Sequence, residues 1–342
     1  MDEEEVGPQW EIRTLAQAYQ KREPTRYIVD KFFATGSLNI LYGPPAAMKS
    51  MLLADLCACV ASGKEWLPGA LPDGRGITVE QSPVFWIDLD NGTRRTDERI
   101  EAVSRARKLA DDAPFFYTSM PVPPLNMGDL DMMIYLKQTI RELGAGITVI
   151  DNLGLITGEI EENSAQMAMV MGYLRQIAES TKTVMVLIHH QRKGGANGGR
   201  AGDALRGHSS IEASVDLALH VVREVGQDEL TIRSTKTRGV DVPTVGAIFN
   251  YRHIPGTNDL EIAWFSGKVP RRGDNAIREA ILSIVDYSGE IAKTKLAQLV
   301  YEELSPEAPG INKIRAWIDD MLAKEDGIKE IQKGKYKQIC LT

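Results

Sequence analysis

The chain has 342 residues, of which 43% are hydrophobic and 25% charged, and its formal net charge at pH 7 is −7. This is the composition of an ordinary globular protein, and the length indicates about two domains. The negative charge excludes a basic field over the whole surface, so any nucleic-acid binding must depend on a local cluster of cations. Three cysteines, Cys57, Cys59 and Cys340, form neither a metal-binding spacing nor an even set, which indicates a reducing compartment.

Residues 1–24 form a polar N-terminal segment in which we expect a short helix. The sequence begins with MDEEEVG and lacks the basic and then apolar pattern of a signal peptide. No apolar run approaches the ~20 residues that a membrane-spanning helix requires. We therefore expect a cytoplasmic protein that has no membrane partner.

Residues 25–268 alternate between short apolar runs and amphipathic segments, and we predict that they form the first domain. The apolar runs are rich in Val, Ile and Leu, as buried strands are. Predicted strands cover residues 36–43, 83–90, 146–152 and 183–190. Predicted helices cover residues 48–63, 93–110, 128–143 and 165–181. This order is typical of an α/β fold, in which helices cover both faces of a mainly parallel sheet.

The segments after residue 190 have a different pattern. Residues 191–210, QRKGGANGGRAGDALRGHSS, contain six glycines and no apolar periodicity. The runs that follow alternate apolar and polar residues, which favours antiparallel strands at one end of the sheet. They cover residues 216–224, 229–239 and 245–253.

A change of composition at residues 266–275, SGKVPRRGDN, separates a predicted second domain at residues 275–342. Its predicted helices cover residues 275–287, 293–304 and 310–323. They are followed by a predicted hairpin at residues 328–341, which turns at Lys333 and Gly334. Three short helices and a hairpin indicate a small α+β module of the winged-helix type. Such a module either contacts the DNA backbone through the basic hairpin or docks onto a protein.

A phosphate-binding loop is indicated where the first strand meets the first long helix. Its sequence GPPAAMKS is close to the pattern G-x-x-x-x-G-K-S, in which backbone N–H groups at a helix N-terminus wrap phosphate oxygens. We expect Lys49 to reach the β- and γ-phosphates of ATP and the Ser50 hydroxyl to bind Mg²⁺. The predicted nucleotide-binding residues are Gly43, Ala46, Ala47, Met48, Lys49, Ser50 and Met51.

Met48 stands where the pattern has its second glycine, a residue that leaves room for the ligand or tolerates an unusual backbone angle. Methionine keeps its backbone N–H, and its flexible thioether can fold away from a bound phosphate. We therefore expect a site that is altered but intact, with affinity and turnover as the properties most affected.

Carboxylates at two strand ends are expected to complete the site. Asp151 ends the run ITVID at the position of a Walker B acid, where it would hold Mg²⁺ through water. Asp88 and Asp90 end the preceding strand, and either could orient and deprotonate the attacking water. We favour Asp90. Glutamate is the commoner residue in that role, so the shorter side chain favours slow turnover.

His189 and His190 end the fourth predicted strand, where a polar side chain can bond the γ-phosphate and report its loss to the following loop. Alternation along a strand puts one imidazole on each face, so only one is expected to face the ligand. We choose His190. The sequence has no carboxylate–histidine spacing that would indicate a metal held by histidine.

In this order, GPPAAMKS, WIDLD, ITVIDN, VLIHHQRKGG and LRGHSSIEASVDLAL resemble the ATPase core of the plasmid hexameric helicase RepA family, which shares its RecA-like P-loop fold with DnaB helicases. The resemblance covers about residues 25–255. The resemblance implies that Lys49 and Ser50 bind the nucleotide and that Asp90 activates water. It also implies that Asp151 binds Mg²⁺ and that His190 senses the phosphate. Two residues depart from the family, which usually has glycine at Met48 and glutamate at Asp90.

The resemblance also implies a homo-oligomeric ring, commonly a hexamer, with ATP at the joints between subunits. A neighbouring subunit would then supply basic residues in trans. Lys236 and Arg238 in STKTRGV resemble the Lys-x-Arg strand of DnaB-type helicases and are our choice, with Arg206 as the runner-up.

The resemblance also implies a role for residues 191–210, the glycine-rich segment. The equivalent loop in the resembled family lines the central channel and contacts single-stranded DNA. Glycines with interspersed basic residues suit contact with a DNA backbone without sequence reading. The predicted DNA-binding residues are Arg192, Lys193, Arg200 and Arg206.

Two functions fit these features. One is a DNA-stimulated ATPase that moves along single strands as a ring, hence a helicase-type motor of plasmid, phage or mobile-element replication. The other is a nucleotide-gated DNA-binding or assembly protein with slow ATPase activity and no unwinding. The ordered set of motifs favours the first function, whereas Met48, Asp90 and the acidic net charge favour the second.

Overall fold

A computed structural model describes most of the chain. The described residues are 11–157, 165–190, 209–223, 226–269, 274–304, 310–324, 326–333 and 336–342. The strands are β1 (Tyr27–Val29), β2 (Phe33–Ala34), β3 (Leu38–Gly43), β4 (Val84–Asp88), β5 (Phe115–Ser119), β6 (Ile147–Asp151), β7 (Val184–His190), β8 (Leu217–Arg223), β9 (Glu229–Thr237), β10 (Val245–His253), β11 (Leu260–Lys268), β12 (Ile328–Lys333) and β13 (Tyr336–Leu341). The helices are α1 (Leu15–Ala18), α2 (Lys49–Ser62), α3 (Thr93–Arg107), α4 (Leu130–Leu143), α5 (Ala165–Thr181), α6 (Ser209–Ser214), α7 (Asp274–Ser288), α8 (Lys293–Leu304) and α9 (Ile311–Ala323). Within these ranges, no helix is both long and apolar enough to cross a membrane.

Nine strands form one sheet in the order β11-β10-β9-β8-β3-β7-β6-β4-β5. Six neighbouring strands run parallel, in the order β8, β3, β7, β6, β4 and β5. Beyond β8, the strands β9, β10 and β11 extend the sheet, and each is antiparallel to the strand before it. This is the predicted α/β fold with a mainly parallel sheet, including the antiparallel strands at one end. The carboxyl ends of the parallel strands meet at one edge, and in such sheets ligands bind at that edge.

Both faces of the sheet are buried. Along β3, Leu41 belongs to one hydrophobic cluster, whereas Ile40 and Tyr42 belong to the other. The first cluster includes most of α2, and the second includes Ile140 of α4 and Leu174 of α5. A strand that is buried on both sides favours apolar residues on both faces, as in Ile40, Leu41 and Tyr42. Asn39 is the buried polar exception, and its side chain donates hydrogen bonds to Ser37 Oγ and to the Met185 carbonyl.

A buried ion pair holds α2, the helix that follows the loop after β3, in its position. Arg107 of α3 donates two hydrogen bonds of 2.7 Å to the Asp55 carboxylate of α2 and one of 2.9 Å to the Phe265 carbonyl of β11. Both buried charges are therefore paired and hydrogen-bonded. These bonds connect α2 to α3 and to β11.

The last three helices and the β12–β13 hairpin surround a hydrophobic cluster of their own, which includes Ile281, Leu296 and Ile318. A β-bridge between Ile291 and Ile339 joins the hairpin to the start of α8. The three predicted helices and the hairpin are confirmed. Of the predicted turn, Lys333 is the last residue of β12, and Gly334 lies outside the described residues. The winged-helix assignment and the domain limits remain predictions.

Four strands were not predicted from the sequence. β5, FFYTS, is an edge strand whose side chains are half-buried or exposed, and only its pairing with β4 defines it. β11 overlaps the change of composition at residues 266–275 and is held by β10. β1 and β2 form a separate pair of three and two residues. In each case the strand depends on a pairing partner more than on its own apolar pattern.

Candidate nucleotide-binding site

The loop between β3 and α2 lies at the edge where the parallel strands end. β3 ends at Gly43, and α2 begins at Lys49. A Cβ atom at position 43 would lie 2.4 Å from the carbonyl oxygen of Val221 in β8. Glycine is therefore required here, because the neighbouring strand passes directly against the start of the loop.

Met48 adopts a left-handed backbone conformation, with φ 60° and ψ 23°, as the N-cap residue of α2. Such a conformation costs a residue with a Cβ about 1–2 kcal/mol, and glycine avoids this cost. The departure from the glycine pattern is thus a matter of backbone strain. The side chain packs against the hydrophobic cluster that includes α2.

Lys49 is buried, and its ammonium group is held by groups of the loop and of β7. Nζ donates hydrogen bonds to the carbonyl oxygens of Gly43 at 3.0 Å and Pro44 at 2.9 Å, and lies 3.3 Å from Nδ1 of His190. Burial lowers the pKa of Lys49 to about 8, against the opposing effect of the Asp151 carboxylate. A triphosphate would offer oxygen acceptors in place of the two carbonyls.

Ser50 and Asp151 provide a set of oxygen atoms that fits Mg²⁺. Burial raises the pKa of the Asp151 carboxyl to about 6, and the nearby Ser50 hydroxyl opposes this by favouring the charged form. Asp151 Oδ2 is buried and has no hydrogen-bond partner in the described part of the chain. Within that same part, no group of three or more His, Cys, Asp or Glu could hold an ion. Mg²⁺ at this place would therefore need phosphate oxygens and water as further ligands.

The two acids after β4 have different environments. Asp88 is buried, and its carboxylate accepts hydrogen bonds of 2.9–3.2 Å from the backbone N–H of Asp90, from the backbone and side chain of Asn91, and from Thr96 Oγ1. These bonds shape the turn that leads into α3. Asp90 is exposed on that turn. The environment of Asp88 suits a structural task, and Asp90 remains our candidate for the base.

The two histidines of β7 differ in the same way. His189 is buried, whereas His190 is exposed and pairs with Gly43 in the parallel register of β3 and β7. Partial burial and the Lys49 charge lower the pKa of His190. A neutral imidazole can accept a hydrogen bond from the Lys49 ammonium. Of the two histidines, His190 is therefore the one that contacts the candidate site.

Arg223 contacts the loop, although sequence reasoning did not identify it. Its guanidinium donates a hydrogen bond of 2.9 Å to the Ala46 carbonyl and one of 2.6 Å to the Gln227 carbonyl. Arg223 ends β8, and β8 lies beside β3. To identify Arg223 from the sequence, one would need to know that β8 pairs with β3, and the order of residues alone does not reveal this pairing.

Lys236 and Arg238 lie at the opposite edge of the sheet from the loop. Thr237 pairs with Leu217 at the start of β8, whereas Gly43 is at the carboxyl end of β3. The two cations therefore do not face the nucleotide site of their own subunit. The predicted DNA-binding residues Arg192, Lys193, Arg200 and Arg206 lie outside the described residues.

Among the solved structures that are similar to this chain, two illustrate the match. The crystal structure of the RadB recombinase matches with a TM-score of 0.45 and 16% identity, over 63% of this chain and 88% of that chain. The second structure, described as an ATPase domain, matches with a TM-score of 0.46 and 14% identity, over 63% of this chain and 82% of that one. A family model described as AAA domain matches residues 7–196, more than half of the sequence. The family match places the chain in the AAA-domain family, and with its phosphate-binding loop the chain is a P-loop ATPase.

Proposed function

We propose that this ATPase is a ring-forming DNA motor, a helicase or single-stranded DNA translocase of the RepA type that acts in plasmid, phage or mobile-element replication. Water attacks the γ-phosphate in line, and Asp90 accepts its proton. Lys49 neutralises charge on the β- and γ-phosphate oxygens, and His190 senses the γ-phosphate. Bound Mg²⁺ supplies further charge neutralisation, and Ser50 and Asp151 would hold it.

The contact between Lys49 and His190 carries this proposal. The two side chains approach to 3.3 Å, so a phosphate that moves one of them affects the other. His190 is also the last residue before the glycine-rich segment with its four basic residues. A change at the phosphate would thus reach the proposed DNA-binding segment through a single residue, which is what a DNA-coupled motor requires.

The proposed ring explains the separation between Lys236 and Arg238 and the nucleotide loop. Cations at the far edge of one subunit can complete the nucleotide site of the next subunit only if copies assemble head to tail. We propose a hexamer on the basis of the RepA resemblance, with Arg238 and Lys236 as the trans cations. Within each subunit we propose an N-terminal segment at 1–24, the ATPase domain at 25–268 and a winged-helix module at 275–342.

The second candidate function is a nucleotide-gated DNA-binding or assembly protein with slow ATPase activity. The left-handed Met48 and the short side chain of Asp90 favour it, because strain at the phosphate loop and a distant base both lower turnover. In that case nucleotide binding would set the assembly state, and hydrolysis would be incidental.

The ATPase rate measured with and without single-stranded DNA separates the two functions. We expect DNA to raise kcat in the wild type, with Lys49→Ala as the control that lacks activity in both conditions. A strand-displacement assay on a forked duplex then tests unwinding. An ATPase rate that DNA leaves unchanged would overturn the motor proposal in favour of the assembly protein.

A further inference from the structure

Three cations converge on the last turn of α6. Lys236 donates a hydrogen bond to the Glu212 carbonyl, Arg238 to the Ala213 carbonyl, and Arg175 of α5 to the Ser214 carbonyl, the last at 2.9 Å. The final carbonyl groups of a helix have no partners within the helix, and cations near them are stabilised by the helix dipole. The two cations proposed to act in trans are therefore attached to one helix end.

Asp216 contacts two of these cations, Arg175 and Arg238. Its Oδ1 accepts a hydrogen bond of 2.8 Å from Arg175 and lies 3.8 Å from the Arg238 guanidinium. Its Oδ2 accepts from the backbone N–H of Leu38 at 3.0 Å, and its carbonyl accepts from the Arg238 N–H at 2.8 Å. One aspartate thus links the start of β3 to both the backbone and the side chain of Arg238.

We propose that Arg175, Asp216 and the last turn of α6 form a clamp that positions Arg238 and Lys236 for the nucleotide of the neighbouring subunit. The inference rests on the proposed function, since it requires those cations to act in trans. Free arginine and lysine side chains lose rotamer entropy when they are fixed in one conformation, and a clamp that orders them beforehand reduces that loss when the subunits meet. Arg175 and Asp216 are positioning residues in this scheme.

The location of the clamp fits this task. A cavity of about 270 Å³ opens beside it, lined by Arg175, Asp216 and Arg238 together with Lys31 and Glu179. The cavity leaves space for a group of another subunit next to the Arg238 guanidinium. α6 also directly follows residues 191–208 in the chain. A movement of α6 would therefore displace both trans cations together.

Mixed oligomers test the proposal. Asp216→Asn should lower kcat about 2- to 30-fold, the range of couplings through positioning residues, with KM for ATP unchanged. Lys49→Ala subunits have no nucleotide site but keep a positioned Arg238. When the two variants are mixed, an Asp216→Asn nucleotide site can face a normal Arg238, and the rate should exceed the sum of the separate rates.

The same mixing with Arg238→Ala separates the two proposals. If Arg238→Ala is rescued by Lys49→Ala subunits but Asp216→Asn is not, Asp216 acts only within its own subunit, and the clamp is overturned while the trans site stands. If neither variant is rescued, or if no oligomer forms, the trans site fails and the clamp fails with it. A higher kcat in Asp216→Asn would also overturn the clamp, because it would mean that Asp216 restrains the cations.

A second variant guards against misfolding of Asp216→Asn, which also loses part of the anchor for Leu38. Arg175→Gln breaks the clamp from α5 without touching that anchor, and it should show the same fall in kcat and the same rescue. Glu101→Gln is the matched control, since Glu101 is an exposed residue of α3 that pairs with Arg105 and lies outside the clamp and its cavity. Its kcat should equal that of the wild type, and an equal loss in this variant would overturn the proposal.

Discussion

Lys49 shows how a single side chain can be held ready for a phosphate. Its ammonium group is buried, yet it is hydrogen-bonded to two carbonyl oxygens and close to a neutral imidazole. Neutral acceptors compensate a buried charge less well than phosphate oxygens do, because charge-assisted hydrogen bonds between two ions are stronger. Burial lowers the pKa of Lys49, as expected when a charge is taken out of water with incomplete compensation.

The pH dependence of nucleotide binding follows from that pKa. Lys49 is charged below about pH 8 and loses its charge as the pH rises through that value. We expect ATP affinity to be constant below it and to weaken above it, by up to about tenfold for each pH unit. Titration with a fluorescent ATP analogue from about pH 7 to about 9.5 measures this, and Lys49→Arg, which stays charged, should show no weakening. A wild-type profile as flat as that of Lys49→Arg would contradict the assignment.

Asp88 and Asp90 predict opposite consequences of substitution. Asp90→Asn should lower kcat about 10²–10⁴-fold without affecting stability, because the side chain is exposed and would act on the attacking water. Asp88→Ala should destabilise the fold by about 1–3 kcal/mol, because it leaves buried donors unsatisfied. Steady-state ATPase assays and urea unfolding measure the two effects. Asp90→Glu is the control that keeps a base. The assignment would be wrong if Asp90→Asn hydrolysed ATP at the wild-type rate.

At the scale of elements, the strands of the parallel sheet could be predicted because each is buried on both faces. β4, β6 and β7 consist almost wholly of buried residues, so their sequences carry the signal themselves. β5 is exposed at the edge, and its sequence therefore carries little signal. Strand order is a property of pairs, and no single strand encodes it.

The residues of the candidate site also differ in whether the sequence alone identifies them. Gly43, Lys49 and Ser50 all lie in the single stretch GPPAAMKS, so a motif identifies them. Asp151 was identified because it ends a strand, and parallel strands end at a common edge. Arg223 could not be identified, since its contact with Ala46 depends on β8 lying beside β3.

The junction of β3 and α2 gives a prediction about backbone strain. Met48→Ala and Met48→Gly both remove the side-chain packing, but only glycine relieves the left-handed conformation. We expect Met48→Gly to be more stable than Met48→Ala by about 1 kcal/mol in urea unfolding. Met51, inside α2, supplies the matched pair. There the order should reverse, with the glycine variant less stable by about 0.5–1 kcal/mol. Equal stabilities of the two Met48 variants would show that position 48 is unstrained.

At the scale of the whole molecule, the uneven distribution of charge matters more than its sum. Residues 191–210 contain four Lys and Arg but one Asp, in a chain whose net charge is −7. The C-terminal hairpin is also rich in lysine, but two of its lysines are paired with glutamates at 2.6 Å, Lys333 with Glu290 and Lys337 with Glu330. If DNA binds through the glycine-rich segment alone, the contacts number about four.

The salt dependence of DNA binding tests which cations are used. Each phosphate that is neutralised on single-stranded DNA releases counterions and contributes about −0.7 to the slope of log K against log salt concentration, so four contacts give about −3. Replacing Arg192, Lys193, Arg200 and Arg206 by Gln one at a time should reduce the slope by about 0.7 each. Replacing Lys329, Lys333 and Lys337 together should leave it unchanged, because these residues do not touch the strand under this hypothesis. Fluorescence anisotropy of a labelled oligonucleotide measures the slope. A slope that falls only with the hairpin lysines would transfer DNA binding to the C-terminal module, and would remove the route from His190 to DNA on which the motor depends.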